Sequence, residues 1–95
     1  MFYNGSIKDG IWRQRNGDMV LSISGNTFCF IKGLDHYTYP EKGTYSIIKQ
    51  KNNRTNIILM DENNNQTQYS FTKINGSVAI IIDGVLFTRR RIGGD

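Results

Sequence analysis

Three consecutive stretches decide the fold: Gly10-Ile11-Trp12-Arg13-Gln14, then Arg15-Asn16-Gly17, then Asp18-Met19-Val20-Leu21-Ser22-Ile23-Ser24. The first reads as a short strand and holds the only tryptophan. Asn16-Gly17 is the signal of a two-residue hairpin, because a primed turn needs positive φ at its centre. In the third stretch Met19, Leu21 and Ile23 alternate with Val20, Ser22 and Ser24. That period of two predicts a strand with the first set facing inward.

The same rhythm runs outward to the end of the chain. Gly25-Asn26 turns it into Thr27–Lys32, where Phe28 and Phe30 share a face and leave Cys29 on the other. Gly43–Gln50 reads as a fourth strand with Tyr45 and Ile47 on one side, and Lys51-Asn52-Asn53-Arg54 as the next turn. Thr55–Asp61 is almost wholly apolar at its centre, so its inward face stays ambiguous. After Glu62-Asn63-Asn64-Asn65, the stretch Gln66–Lys73 alternates Tyr69 and Phe71 with polar residues. Asn75-Gly76 and Asp83-Gly84 then punctuate two last strands, Val78–Ile82 and Val85–Arg91. One segment breaks the pattern. Gly33 to Lys42 (GLDHYTYPEK) has no clean period, and it carries the only histidine and the only proline. Long loops inside compact domains are uncommon and often functional.

Composition agrees with this reading. Ninety-five residues make one domain, 1–95, with an irregular lead-in over 1–9 and a Gly-rich tail over 92–95. A domain of this size has a small core, so each large inward side chain matters. The ten glycines and the abundance of Asn, Ile, Thr, Tyr and Phe suit strands and tight turns. A single cysteine excludes an internal disulfide. No stretch is long and apolar enough for a membrane-spanning helix. No charged n-region followed by an apolar h-region opens the chain, so no signal peptide is expected in it. A leader removed upstream would place the protein outside the cytoplasm, in a periplasmic or lipoprotein setting.

About eight short strands joined mostly by tight turns predict an all-β, antiparallel, up-and-down barrel. A meander of that many strands twists and curls, and closing it removes two exposed edges. Closure places the first strand beside the last. Arg13 and Arg15 then approach Arg89, Arg90 and Arg91. Like charges on paired strands repel unless they alternate faces or meet an anion.

With Gly10-Ile11-Trp12 opening the first strand and Phe87-Thr88-Arg89-Arg90-Arg91 ending the last, the chain resembles the lipocalin-like (calycin) barrels, in particular the short bacterial domains of that kind. In that family a G-x-W motif starts the first strand, and an arginine of the last strand packs over the tryptophan. Here Arg89 or Arg91 would take that part. The resemblance covers roughly residues 10–91 and implies a non-enzymatic binder of a small apolar or amphipathic ligand. The chain is shorter than a full lipocalin and lacks the helix that follows the barrel there. A guanidinium stacked on an indole also has a purely structural use, worth ~1–2 kcal/mol when partly desolvated.

Other chemistry is thin. Cys29 and His36 form the only base–nucleophile pair on offer, and nothing in the sequence supplies an orienting third group. One histidine and one cysteine do not make a zinc site. Asp61-Glu62-Asn63-Asn64-Asn65 starts like a calcium loop, but Gln66 stands where glycine is required and Thr72 where the closing acid is required. No enzyme activity, metal or cofactor is therefore expected. The expected function is that of a binding module acting at a barrel end, with His36, Tyr37, Tyr39 and Trp12 as candidate contacts for a small hydrophobic ligand or a protein partner. An interaction or protease-inhibitor barrel working through the 33–42 loop is the alternative. Nucleic-acid binding through Arg13, Arg15 and Arg89–Arg91 is the weaker third, since the net charge is only +4.

Overall fold

The computed structural model describes residues 5–33, 39–75 and 78–89. They form eight strands: β1 Gly10–Gln14, β2 Val20–Ser24, β3 Thr27–Lys32, β4 Lys42–Lys49, β5 Thr55–Asp61, β6 Gln66–Asn75, β7 Ala79–Ile82 and β8 Val85–Arg89. Each pairs antiparallel with the next, and β8 pairs with β1, so the sheet is a closed up-and-down barrel. Among the described residues no helix is long and apolar enough to cross a membrane.

The inward rows are those set by the alternation. Met19, Leu21 and Ile23 are buried, as are Phe28 and Phe30, Tyr45 and Ile47, and Phe71. The ambiguous strand β5 resolves with Ile57 and Leu59 inside. Trp12, Ile80, Ile82 and Phe87 complete the filling, with Trp12 and Ile80 wholly enclosed. Phe28, Phe30 and Phe87 meet ring to ring across the interior at centroid distances of 6.0 and 6.4 Å. An eight-stranded barrel is just wide enough to be filled by side chains, and large aromatic and branched residues fill this one.

The turns show which residue chemistry was needed where. Asp83 and Gly84 both have positive φ, 53° and 78°, and join Ile82 to Val85 in a two-residue primed hairpin. The β4–β5 and β5–β6 connections are a matched pair. Each has a residue in the left-handed region, Asn53 or Asn64, and each closes with the same two main-chain bonds. Asparagine tolerates that conformation better than other side-chain-bearing residues.

One turn is not as the sequence implies. Neither Asn16 nor Gly17 has positive φ, and the β1–β2 connection is closed by Gln14 N–H donating to the Met19 carbonyl at 2.8 Å. It is a longer loop, so β2 begins at Val20 rather than Asp18. Its Gln14 side chain folds inward and accepts the Met19 N–H at 3.2 Å. A Cβ on Gly17 would meet that side-chain amide, which would have to shift to admit it. The Asn75-Gly76 turn falls partly outside the described residues.

Candidate functional site

Two barrel ends carry the candidate contacts. The first is the end where β1 begins. Trp12 lies opposite Arg89 in the β1–β8 ladder, so both side chains leave the same face of the sheet. The Arg89 stem runs across Gly10: a Cβ there would lie 3.0 Å from Arg89 Cδ, and Gly10 has φ +137°. Glycine two residues before Trp12 is thus favoured by its backbone conformation, and the Arg89 stem packs close over it.

The lead-in is part of this end rather than a loose tail. Ile7 is buried against the core. Its N–H donates to Tyr45 Oη at 2.8 Å, and that hydroxyl donates to the Gly25 carbonyl at 3.0 Å. Trp12 Nε1 donates to the Lys8 carbonyl at 2.9 Å, and Gly25 N–H to Asp9 Oδ1 at 2.9 Å. Residues 7–9 therefore close the barrel floor by hydrogen bonds that satisfy the indole and the phenol. Burial pushes the Tyr45 phenol above its usual value of 10.0, with the Ile7 contact pulling the other way. Nothing in the polar setting of Ser6-Ile7-Lys8 marks Ile7 as a core residue in the sequence.

Trp12 has no exposed surface, so it offers nothing to a partner approaching from outside. The charged seam divides as well. Arg13 pairs with Thr88 and lies on the outer face, exposed, whereas Arg89 is half-buried on the inner face beside Trp12. Arg15 sits past the end of β1, exposed, with its N–H on the Leu86 carbonyl. Closing the barrel does bring these strands together, but strand alternation sends Arg13 and Arg89 to opposite faces, so they do not form one patch. Arg90 and Arg91 lie outside the described residues.

The other end carries the 33–42 loop. His36 and Tyr37 lie outside the described residues. Tyr39 folds back over the barrel mouth, its ring 5.4 Å from Phe30 and 5.2 Å from Tyr69, and its hydroxyl donates to Asp83 Oδ2 at 3.3 Å. It packs on the core as a half-buried cover, and Tyr69 beside it has its phenol raised above 10.0 by burial. Cys29 is half-buried with its thiol directed at the Phe30 carbonyl, 3.9 Å away.

The acidic turn proves to be self-satisfied. Asp61 Oδ1 accepts the N–H groups of Asn63 and Asn65 at 2.8 and 3.0 Å, and Oδ2 accepts Asn65 Nδ2 at 3.3 Å. These bonds hold its carboxyl below the usual aspartate value, the Asn65 backbone contributing most. The carboxylate thus serves the hairpin. Among the described residues no group of three or more His, Cys, Asp or Glu could hold a metal ion.

A feature that the sequence reading did not anticipate lies beside the β4–β5 hairpin. A groove of about 930 Å3 opens between the β4–β5 turn and β6, and a smaller one of about 420 Å3 between the lead-in and β4. Both flank the β4–β5 hairpin.

The fold and its sites define an eight-stranded, all-antiparallel closed β-barrel with a filled interior. No family model matches the chain, and neither a curated protein nor a solved structure matches it significantly.

Proposed function

We propose that this chain is a non-enzymatic, lipocalin-like binding module that engages a protein partner on its surface rather than a small ligand inside. The observation that carries this reading is the filled interior. Trp12, Leu21, Ile57, Leu59, Ile80, Ile82 and Phe87 are essentially inaccessible, and the aromatic rings between them occupy the space where a lipocalin ligand would lie. Ligand pockets of drug size are concave, largely apolar spaces of roughly 300–1,000 Å3. Two grooves of that size among the described residues open at the lead-in end of the barrel, beside the β4–β5 hairpin, and polar side chains dominate the larger one.

The pairing of Trp12 with Arg89 over Gly10 supports the lipocalin-like resemblance. In this reading the pair and the lead-in close one end, Tyr39 covers the other, and the 33–42 loop meets the partner. Tyrosine suits such a contact because it offers a large amphipathic surface at low entropic cost.

The test has two arms. Trp12 is the sole tryptophan, so its fluorescence reports any occupant of the interior. Titration with a long-chain fatty acid or an apolar fluorophore is expected to leave Trp12 emission unchanged. A photo-crosslinking residue in place of Tyr37, in extract from the native host, is expected to give a discrete protein adduct. Saturable one-to-one quenching of Trp12 by the apolar probe, with no adduct, would overturn the proposal in favour of an internal ligand.

A further inference from the structure

The β5–β6 ladder stops at Asn56 and Ser70, yet both strands continue, β5 to Thr55 and β6 to Asn75. On the other side of the hairpin, β4 meets β3 only as far as Thr44 and the bond from Tyr45 N–H to the Asn26 carbonyl. Its ladder with β5 runs on to Lys49 and Thr55. β4 beyond Tyr45 is therefore paired with β5 alone, and β6 beyond Phe71 with β7 alone, so the β4–β5 turn and the end of β6 part from each other. The larger groove is the wedge between them.

Two properties of this wedge point to an occupant. The first is main-chain polarity. The Ser70 carbonyl accepts the Asp83 N–H, on the β7 side of β6. Main-chain groups of successive residues in a strand point to alternate edges, so those of Phe71 and Lys73 point away from β7. The Asn56–Ser70 pairing engages the Phe71 N–H with the Thr55 carbonyl, which leaves the Phe71 carbonyl and both Lys73 groups facing the groove. The second is charge. Lys49, Arg54 and Lys73 line the groove, all exposed, and no carboxylate is among its described lining residues.

We propose that this groove takes an extended, acidic segment of a partner protein, added as a short strand along the β6 edge at Lys73 and the Phe71 carbonyl. Strand addition supplies affinity through main-chain hydrogen bonds, while alternate side chains of the guest reach specific pockets or charges. Carboxylates on the guest meet Lys49, Arg54 and Lys73. A second copy of this chain docked groove to groove would bring the same cations together. Single-stranded nucleic acid would need exposed rings for its bases. The one aromatic in the lining, Phe71, is 4% exposed, with its ring turned into the core. The proposal shares with the previous section only the choice of a protein partner. The groove lies toward the β4–β5 turn, at the end opposite the 33–42 loop, and a second contact surface there does not depend on the first.

The experiment uses the full chain and a fluorescein-labelled ten-residue peptide of alternating Thr and Glu, read by anisotropy. Saturable binding is expected, weakened about tenfold or more by Arg54→Glu with Lys73→Glu. These side chains are exposed, and unchanged Trp12 emission confirms that the variant is folded. The same peptide N-methylated at alternate residues keeps its charge but cannot pair as a strand, and is expected to bind at least about tenfold more weakly. In the amide NMR spectrum Phe71, Lys73 and Thr55 are expected to shift. Equal binding of the N-methylated peptide overturns strand addition. Equal or tighter binding of a Thr/Lys peptide, or of labelled single-stranded DNA, overturns the acidic-protein assignment. Peptide-blocked self-association of the free chain would assign the groove to a second copy instead. Failure of the peptide leaves the Tyr37 crosslink untouched, so the two proposals fail separately.

Discussion

Replacing Tyr45 with Phe tests how the lead-in is held. The ring stays, so packing against Ile47 and its neighbours is kept and the change isolates one hydroxyl. That hydroxyl accepts the buried Ile7 N–H at 2.8 Å and donates to the Gly25 carbonyl at 3.0 Å. Its loss orphans a buried N–H, which costs about 1–3 kcal/mol, while the partly buried Gly25 carbonyl recovers some of its loss from water. A net destabilisation of about 2 kcal/mol follows. For a domain of this length that lowers Tm by roughly 8–16 °C. Thermal and urea unfolding followed by Trp12 fluorescence would measure it, with the urea slope unchanged if only the native state is affected. The variant should also change the alkaline limb. The folded-state phenol sits above 10.0, so its protonated form contributes stability that is complete below the unfolded value and is lost as pH rises through the folded value. The Phe variant should lose less stability above pH ~10, although Tyr69, shifted the same way, keeps part of that limb. A Tm within about 2 °C of the parent would refute the argument that Tyr45 pins Ile7 and the floor of the barrel.

Three further outcomes follow from the same geometry. Gly10→Ala forces a side-chain-bearing residue to φ +137° beneath the Arg89 stem, and should cost about 1–3 kcal/mol in chemical denaturation; a neutral result would mean that Gly10 does not hold that backbone conformation. Gly43→Ala places a Cβ onto the Met60 carbonyl of the neighbouring strand, so it should destabilise by at least about 2 kcal/mol, and near-parental unfolding would contradict the β4–β5 register. Asp61 has its carboxyl pKa lowered by the turn's own N–H groups, so its contribution is present above the unfolded value and disappears as pH falls through the folded one. Asp61→Asn should flatten the acid limb of the stability curve, and an unchanged acid limb would show that those bonds do not form in solution.

Much of the barrel is legible before any coordinates. Alternation in Met19–Ser24, Thr27–Lys32 and Gln66–Lys73 identifies both the strands and their inward rows, because side chains in a strand take opposite faces in turn. Asp83-Gly84 works as a hairpin signal because both residues must have positive φ there. Asn16-Gly17 is a similar signal with a different outcome: neither residue has positive φ, and the Gln14 side chain occupies the loop. A dipeptide rule does not register a side chain that folds into the loop from the residue ending the strand before it. Thr55–Asp61 shows a second limit: with apolar residues on both faces, only the neighbouring strands determine that Ile57 and Leu59 are the inner pair.

The candidate contacts divide along the same line. Trp12 and Arg89 are predictable neighbours once the ring closes, since first and last strands must then pair. Which face Arg13 takes relative to Arg89 depends on the β1–β8 register, and a slip of one residue would reverse it. Tyr39 stands out in the sequence as an aromatic in a long loop, but its packing on Phe30 and Tyr69 is a long-range contact. The groove beside β6 left no mark in the sequence, for it arises where one ladder ends earlier than its neighbours.

By itself, then, the order of residues determined eight strands, their succession, most of their inward faces and the need for a closed ring, because periodicity and turn chemistry act over a few residues. Tertiary structure alone decided that Ile7 seals the floor, that the arginines part to opposite faces, and that a basic wedge opens between the β4–β5 ribbon and β6. Those features depend on register, ladder length and the meeting of side chains far apart in the chain, which no local pattern encodes.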